Sequence, residues 1–188
     1  HELLNEVLHD QERRWIEDNG LVRDQYDEAF QASVPVRTNG TLLHTAEAYL
    51  AAAEATTDPV WIERAEVMAQ FAHRMAAQHD WRLPEYYDDS WAPLSGEPIG
   101  LLDGRRVYHG AVTGHALQWT RIALQIRAGL RSLGRSQPDY LSEFALELFE
   151  RARVDGWRRY DGEPGFATVI DASGNPVLGD IAQYLCGE

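Results

Sequence analysis

One cysteine, Cys186, stands in a chain of 188 residues. A lone thiol cannot close an internal disulfide, so the fold cannot rest on cross-links, and such cysteine use fits a reducing cytoplasm. Long apolar runs are also missing. None approaches the roughly 18–20 residues that a bilayer-spanning helix needs, so no membrane segment is expected. Positive charge is scarce: 17 basic residues face 30 acidic ones, a net charge of −13. A surface that acidic repels phosphate backbones, which disfavours nucleic acid as a partner. Nor does the chain carry the phosphate-binding glycine loop, the serine nucleophile elbow or the Cys-x-x-Cys pair of other enzyme classes. No strict repeat is present, which argues against tetratricopeptide or HEAT arrays and leaves a helical toroid open.

What is present is a globular composition, 44% hydrophobic, and enough length for one sizeable core. Helical periodicity dominates. "HELLNEVLHDQERRWIEDNG" has apolar residues at Leu4, Val7, Leu8, Trp15 and Ile16 and reads as a helix, with Gly20 as the expected stop. "LVRDQYDEAF" alternates weakly, as a short strand or loop. "TLLHTAEAYLAAAEATTD" is a second helix. "DPVWIERAEVMAQFAHRMAAQHD" is a third, with Asp58 as N-cap, Pro59 at the first helical position, and Trp61, Ala65, Met68, Phe71, Ala72 and Met75 on one face. "VTGHALQWTRIALQIRAGL" is the fourth, and "PDYLSEFALELFERARVDGW" the fifth, with Leu141, Phe144, Ala145, Leu148, Phe149 and Ala152 on its stripe. "GFATVIDASGNPVL" reads as a strand, a Ser-Gly-Asn turn and a strand. The connection from Trp81 to Ala111 is long, with room for a short hairpin. Its aromatic residues at Trp81, Tyr86, Tyr87 and Trp91 favour a lining over a loose linker. The fold class is therefore all-α with short β-hairpins, built from helix pairs that must stack on neighbours. The start at His1, without an apolar signal-like stretch, and the close on "DIAQYLCGE" lead us to expect a single-domain piece, 1–188, cut at both ends.

The fourth helix opens its buried stripe with a histidine. His115, Trp119, Ile122, Ile126 and Leu130 are three or four residues apart and share a face. At the first turn, His115 can point into whatever the preceding loop encloses, and Arg105, Tyr108 and His109 stand just upstream. A buried structural histidine bonded to a backbone carbonyl would give the same pattern. His44 opens the second helix in the same way, with Glu47 on the same face. That pair could orient an imidazole. It falls short of the three ligands a metal normally needs, so no metal is expected. "LPEYYDDSW" offers Glu85, Asp88 and Asp89 among aromatic rings, which suits carbohydrate, or a glycosidase acid and base at Asp88 or Asp89. An acidic surface loop pinned by aromatics would look alike.

Four segments taken together resemble the N-acylglucosamine 2-epimerase superfamily: "LLHTAEAYLAAAEATTDPVWIERA", "WRLPEYYDDSWAPL", "AVTGHALQWTRIALQIRAGL" and "GFATVIDASGNPV". They occur in order and cover nearly the whole chain. The likeness is closest to the aldose–ketose isomerase branch of mannose and sulfoquinovose isomerases. It implies a partial (α/α)6 barrel, the central to C-terminal part, about half of the family fold. It implies a monosaccharide substrate, no cofactor, and proton transfer between C1 and C2 through a cis-enediol, with His115 as one catalytic acid/base. His44, Arg105, Glu85, Gln118 and Trp119 would line the sugar pocket. The second histidine of the family would lie beyond the last residue, so the chemistry is expected to be incomplete in this stretch. A catalytically decayed sugar- or protein-binding domain is the alternative class. The exposed helix faces of half a toroid favour a homo-oligomer.

Two departures from the family pattern carry expectations. Gln118 stands where the family usually has Glu. Without that carboxylate, His115 should titrate low and be neutral at pH 7. "GTLLH" replaces an Asn-rich "NxNMH", so Gly40 and Leu42 should cost polar sugar contacts.

Overall fold

A computed structural model of the chain describes residues 2–31, 34–96, 99–102, 105–160 and 163–177. Cys186 lies outside the described residues, as do the side chains at 99–102 and 105–108. The elements in chain order are α1 (Glu2–Arg14), β1 (Val36–Thr38), α2 (Asn39–Thr56), α3 (Val60–Gln78), β2 (Tyr86–Asp88), β3 (Ile99–Leu102), β4 (Arg105–Tyr108), β5 (Ala111–Val112), α4 (Thr113–Ser132), α5 (Asp139–Arg151), a π-helical turn (Ala152–Gly156), β6 (Trp157–Tyr160), β7 (Glu163–Phe166) and β8 (Val169–Ile170). This is the expected class, mostly helical with short antiparallel pairs.

Each helix starts and stops for a local reason. Thr38 caps α2, its hydroxyl accepting from the Thr41 N–H at 3.1 Å. The Asp58 carboxylate accepts from the Val60 N–H at 3.0 Å, so Asp58 does serve the start of α3, with Pro59 just ahead of the first helical residue. The first helix ends at Arg14, six residues before the expected stop at Gly20. Ile16 leaves the helix to bridge Val22, and Gly20, at φ +80°, makes the turn between them.

Short connections fold α3 back on α2 and α5 back on α4, and α2 lies beside α4. The core between them holds Leu43, Tyr49, Met68, Trp119, Ile122, Ile126, Phe144 and Leu148, all at 1% exposure or less. The stripe of α4 is buried as its spacing requires. On α5 the stripe closes with Leu148 and Ala152, and Phe149 is 45% exposed, a correction to the sequence reading. One step along a helix rotates a side chain by about 100°, which carries Phe149 off that face.

The strands serve mainly as entrances to helices. β1 pairs with β2 in the register Val36↔Asp88, Arg37↔Tyr87 and Thr38↔Tyr86. β3 and β4 form the hairpin anticipated in the long connection, and β5 pairs with β8. The Ser-Gly-Asn turn is present: Gly174 takes φ +85° and the Ile170↔Pro176 bridge closes it.

Candidate active site

Two helix starts and one loop residue converge. β1 leads directly into α2 at Asn39, and β5 leads directly into α4 at Thr113. Glu85 lies between them, just before β2. Its carbonyl accepts from the Asn39 N–H at 2.9 Å, and its own N–H donates to the Gly110 carbonyl at 3.0 Å. The backbone is thus fixed on both sides of the Glu85 carboxylate.

That carboxylate is buried, with the side chain 7% exposed. Its Oε2 lies 2.7 Å from His115 Nδ1 in the first turn of α4. An ionised carboxylate can only accept, so the Nδ1 proton belongs to the histidine. Oε1 accepts from the Gly40 N–H at 3.2 Å, at the positive end of α2. Asn39 Nδ2 stands 3.4 Å from Oε2, and its Oδ1 accepts from the Trp119 indole at 2.7 Å. The indole has only a donor, so it sets the amide's orientation and turns the NH2 toward Glu85. Gly40 fits closely against the pair. A Cβ there would lie 3.3 Å from both Glu85 Oε1 and His115 Cε1.

A second imidazole faces the first. The rings of His44 and His115 are 6.3 Å apart and nearly perpendicular, at 83°. His44 Nδ1 meets Glu47 Oε2 at 2.7 Å, and the other Glu47 oxygen accepts from Arg121 of α4. The spacing of His44 and Glu47 therefore does produce an oriented imidazole.

Burial pushes the His115 pKa down. The Glu85 hydrogen bond and charge, aided by the charge of Glu47, outweigh it and leave His115 above its ordinary value. The expectation of an uncompensated, low-titrating His115 is overturned. The missing carboxylate at 118 is supplied by Glu85, 30 residues earlier.

The remaining residues singled out in the sequence divide. Gln118 lies one turn beyond His115 and is half-buried. Trp119 is fully buried, so its indole holds Asn39 from behind rather than meeting a ligand. Arg105 begins β4, and its side chain lies outside the described residues. Leu42 is 1% exposed and packs in the core, so residue 42 does not face a ligand here. Tyr87 and Trp91 are core residues beside Phe71, which removes them as an exposed sugar platform. Asp88 closes its own turn, accepting from the Ser90 hydroxyl at 2.7 Å and the Ala92 N–H at 2.9 Å, and these bonds lower its pKa. Asp89 is exposed on that turn.

Sequence reasoning missed Asn39 and Arg121. No spacing rule links either residue to a partner across helices.

The comparisons with known proteins decide the family. The model for N-acylglucosamine 2-epimerase (GlcNAc 2-epimerase) matches residues 1–183. The chain belongs to that family. A D-mannose isomerase from Thermobifida fusca is 33% identical over 179 residues, which cover 95% of this chain and 43% of that protein. One from Pseudomonas cannabina pv. alisalensis is 32% identical, covering 94% and 43%. Among solved structures, a D-mannose isomerase superposes with a TM-score of 0.82 at 22% identity over 98% of this chain and 46% of that one. A cellobiose 2-epimerase from Bacillus thermoamylovorans B4167 gives 0.65 at 9% identity, over 90% and 39%. The chain therefore spans less than half the length of these relatives. The fold of this family member is the partial (α/α)6 barrel expected from its sequence, at about half the extent of its relatives.

Proposed function

We propose that this family member contributes the proton-transfer half of an aldose–ketose isomerase site acting on mannose or a similar hexose or hexose derivative. The observation that carries the reading is the His115–Glu85 pair, built where the starts of α2 and α4 meet. With Nδ1–H committed to Glu85, the neutral imidazole presents its lone pair at Nε2. That atom takes the proton from C2 of the open-chain aldose and returns it to C1 through a cis-enediol. Glu85 holds the tautomer and favours the imidazolium formed on the way, and His115 is raised toward the pH range in which such a base works. His44, and Arg105 and Gln118 by family likeness, are assigned to sugar binding.

A hydrolase working through Asp88 or Asp89 is disfavoured. A general acid needs a raised pKa, and the bonds that close the Asp88 turn move it the other way. Among the described residues no helix is long and apolar enough to cross a membrane. We place the protein in the cytoplasm on its cysteine use, and we read the exposed Leu3, Leu146 and Phe149 as favouring self-association.

The test is incubation with D-mannose in deuterium oxide, followed by NMR of the sugar. Exchange at C2 that disappears in His115→Gln supports the reading. Release of sugar from a glycoside, with free mannose untouched, would replace it with a hydrolase.

A further inference from the structure

A buried amide stands behind the His115–Glu85 pair, and the proton transfer described above makes no use of it. Asn39 is 1% exposed, and burying an amide this deeply is unfavourable unless both of its ends are paired. Its oxygen is taken by the Trp119 indole at 2.7 Å. Its NH2 therefore points to Glu85, with Nδ2 3.4 Å from Oε2, the same oxygen that lies 2.7 Å from His115 Nδ1. The Asn39 main chain grips the other end of Glu85, donating its N–H to the Glu85 carbonyl at 2.9 Å. The next residue, Gly40, donates its N–H to Oε1 at 3.2 Å. A helix leaves its first N–H groups without partners inside the helix. The first two of α2 are both spent on Glu85, whereas the Thr41 N–H returns to the Thr38 cap. Glu85 is thus a loop residue held by α2 and presented to α4.

We propose that Asn39 is a positioning residue of the proton-transfer pair, which holds the Glu85 carboxylate against His115 and moderates its pull on the imidazole. Its meaning for catalysis rests on the isomerase reading above. Oε2 serves two donors. The positive end of the amide dipole lies beside the oxygen that faces the ring, so it offsets part of the negative charge that the ring meets. A carboxylate without that donor would favour the imidazolium more strongly, and an imidazolium has no lone pair with which to take a proton. The same dipole favours the ionised form of Glu85. The Nδ1 proton then stays on the ring and the lone pair stays at Nε2. Other groups that bear on His115 are Glu47 and His44 on α2, with Arg121 of α4 on the second oxygen of Glu47. All three remain in an Asn39 variant, so a change in His115 there reports on the amide.

The experiment is NMR titration of the His115 ring in the wild-type chain, in Asn39→Leu and in Asn39→Leu/Trp119→Phe. The single variant leaves the buried indole without its acceptor, which destabilises the fold, and the double variant removes that unpaired donor as well. The His115 midpoint should lie higher in both variants than in the wild type, by about half a pH unit. The pH profile of deuterium entry at C2 of D-mannose should move with it. A second measurement needs no variant: in the wild type, the Asn39 side-chain NH2 resonances should shift with pH at the His115 midpoint. A folded double variant whose His115 midpoint equals that of the wild type, or lies below it, overturns the proposal and reduces Asn39 to a partner for the indole. Side-chain NH2 resonances that ignore the His115 titration overturn it as well. Midpoints that rise as expected in chains that put no deuterium into mannose support the hold of Asn39 on the pair and overturn the isomerase reading instead.

Discussion

His115 is poised between two opposed effects, and their balance can be measured residue by residue. Burial favours the neutral ring, while the carboxylates of Glu85 and Glu47 favour the charged one. His44, on the neighbouring helix, also faces it. The carboxylates prevail, so the folded-state pKa lies above the unfolded value of about 6.5. The protein therefore takes up a proton on folding. The stabilisation is fully present below the unfolded pKa and is lost as pH rises through the folded pKa. In Glu85→Gln the main opposing interaction is gone and burial dominates. NMR titration should find the His115 midpoint lower in that variant than in the wild type. The decline in melting temperature across the window just above pH 6.5 should flatten with it. Equal midpoints in the two proteins would show that Glu85 does not govern this imidazole.

Elements deliver these residues, and the entrance to α2 depends on a buried charge. Arg37 of β1 is 3% exposed and pairs with Glu17 at 2.6 Å, while the other Glu17 oxygen accepts from the Trp91 indole at 3.0 Å. Removing one partner of a buried pair costs more than the pair contributes, because the other charge stays behind unpaired. Glu17→Ala should lower unfolding free energy by about 3 kcal/mol in urea titration, the scale typical of such breaks. A loss under about 0.5 kcal/mol, the range of ordinary surface substitutions, would mean that Arg37 finds other partners. Helices were readable in the sequence because their signal is local. The α4 stripe from Trp119 to Leu130, the Asp58 cap and the Ser-Gly-Asn turn each follow from spacing within a few residues. The Glu85–His115 bond was not readable as a pair. It joins residues 30 positions apart through the β1–β2 register and the Glu85–Gly110 hydrogen bond, which no periodicity encodes. Gly40 looked like a lost polar contact for the same reason. Its role is to leave room for a pair assembled from elsewhere.

At the scale of the whole molecule, two helices each carry a pair of exposed apolar residues. Leu3 and Val7 on α1 are 73% and 57% exposed, and Leu146 and Phe149 on α5 are 67% and 45% exposed. Apolar surface of this kind seeks cover. Light scattering after gel filtration should show self-association that weakens in Leu146→Glu/Phe149→Lys. A strictly monodisperse 21.3 kDa species at all concentrations would contradict it. The central claim concerns chemistry, however: one imidazole, tuned by Glu85, moves a proton on an open-chain sugar. The most direct test is the pH profile of deuterium entry at C2 of D-mannose in the wild type. Exchange should rise with pH through a single midpoint above about 6.5 that coincides with the NMR midpoint of His115. Exchange that is absent, or whose midpoint bears no relation to His115, would contradict the account.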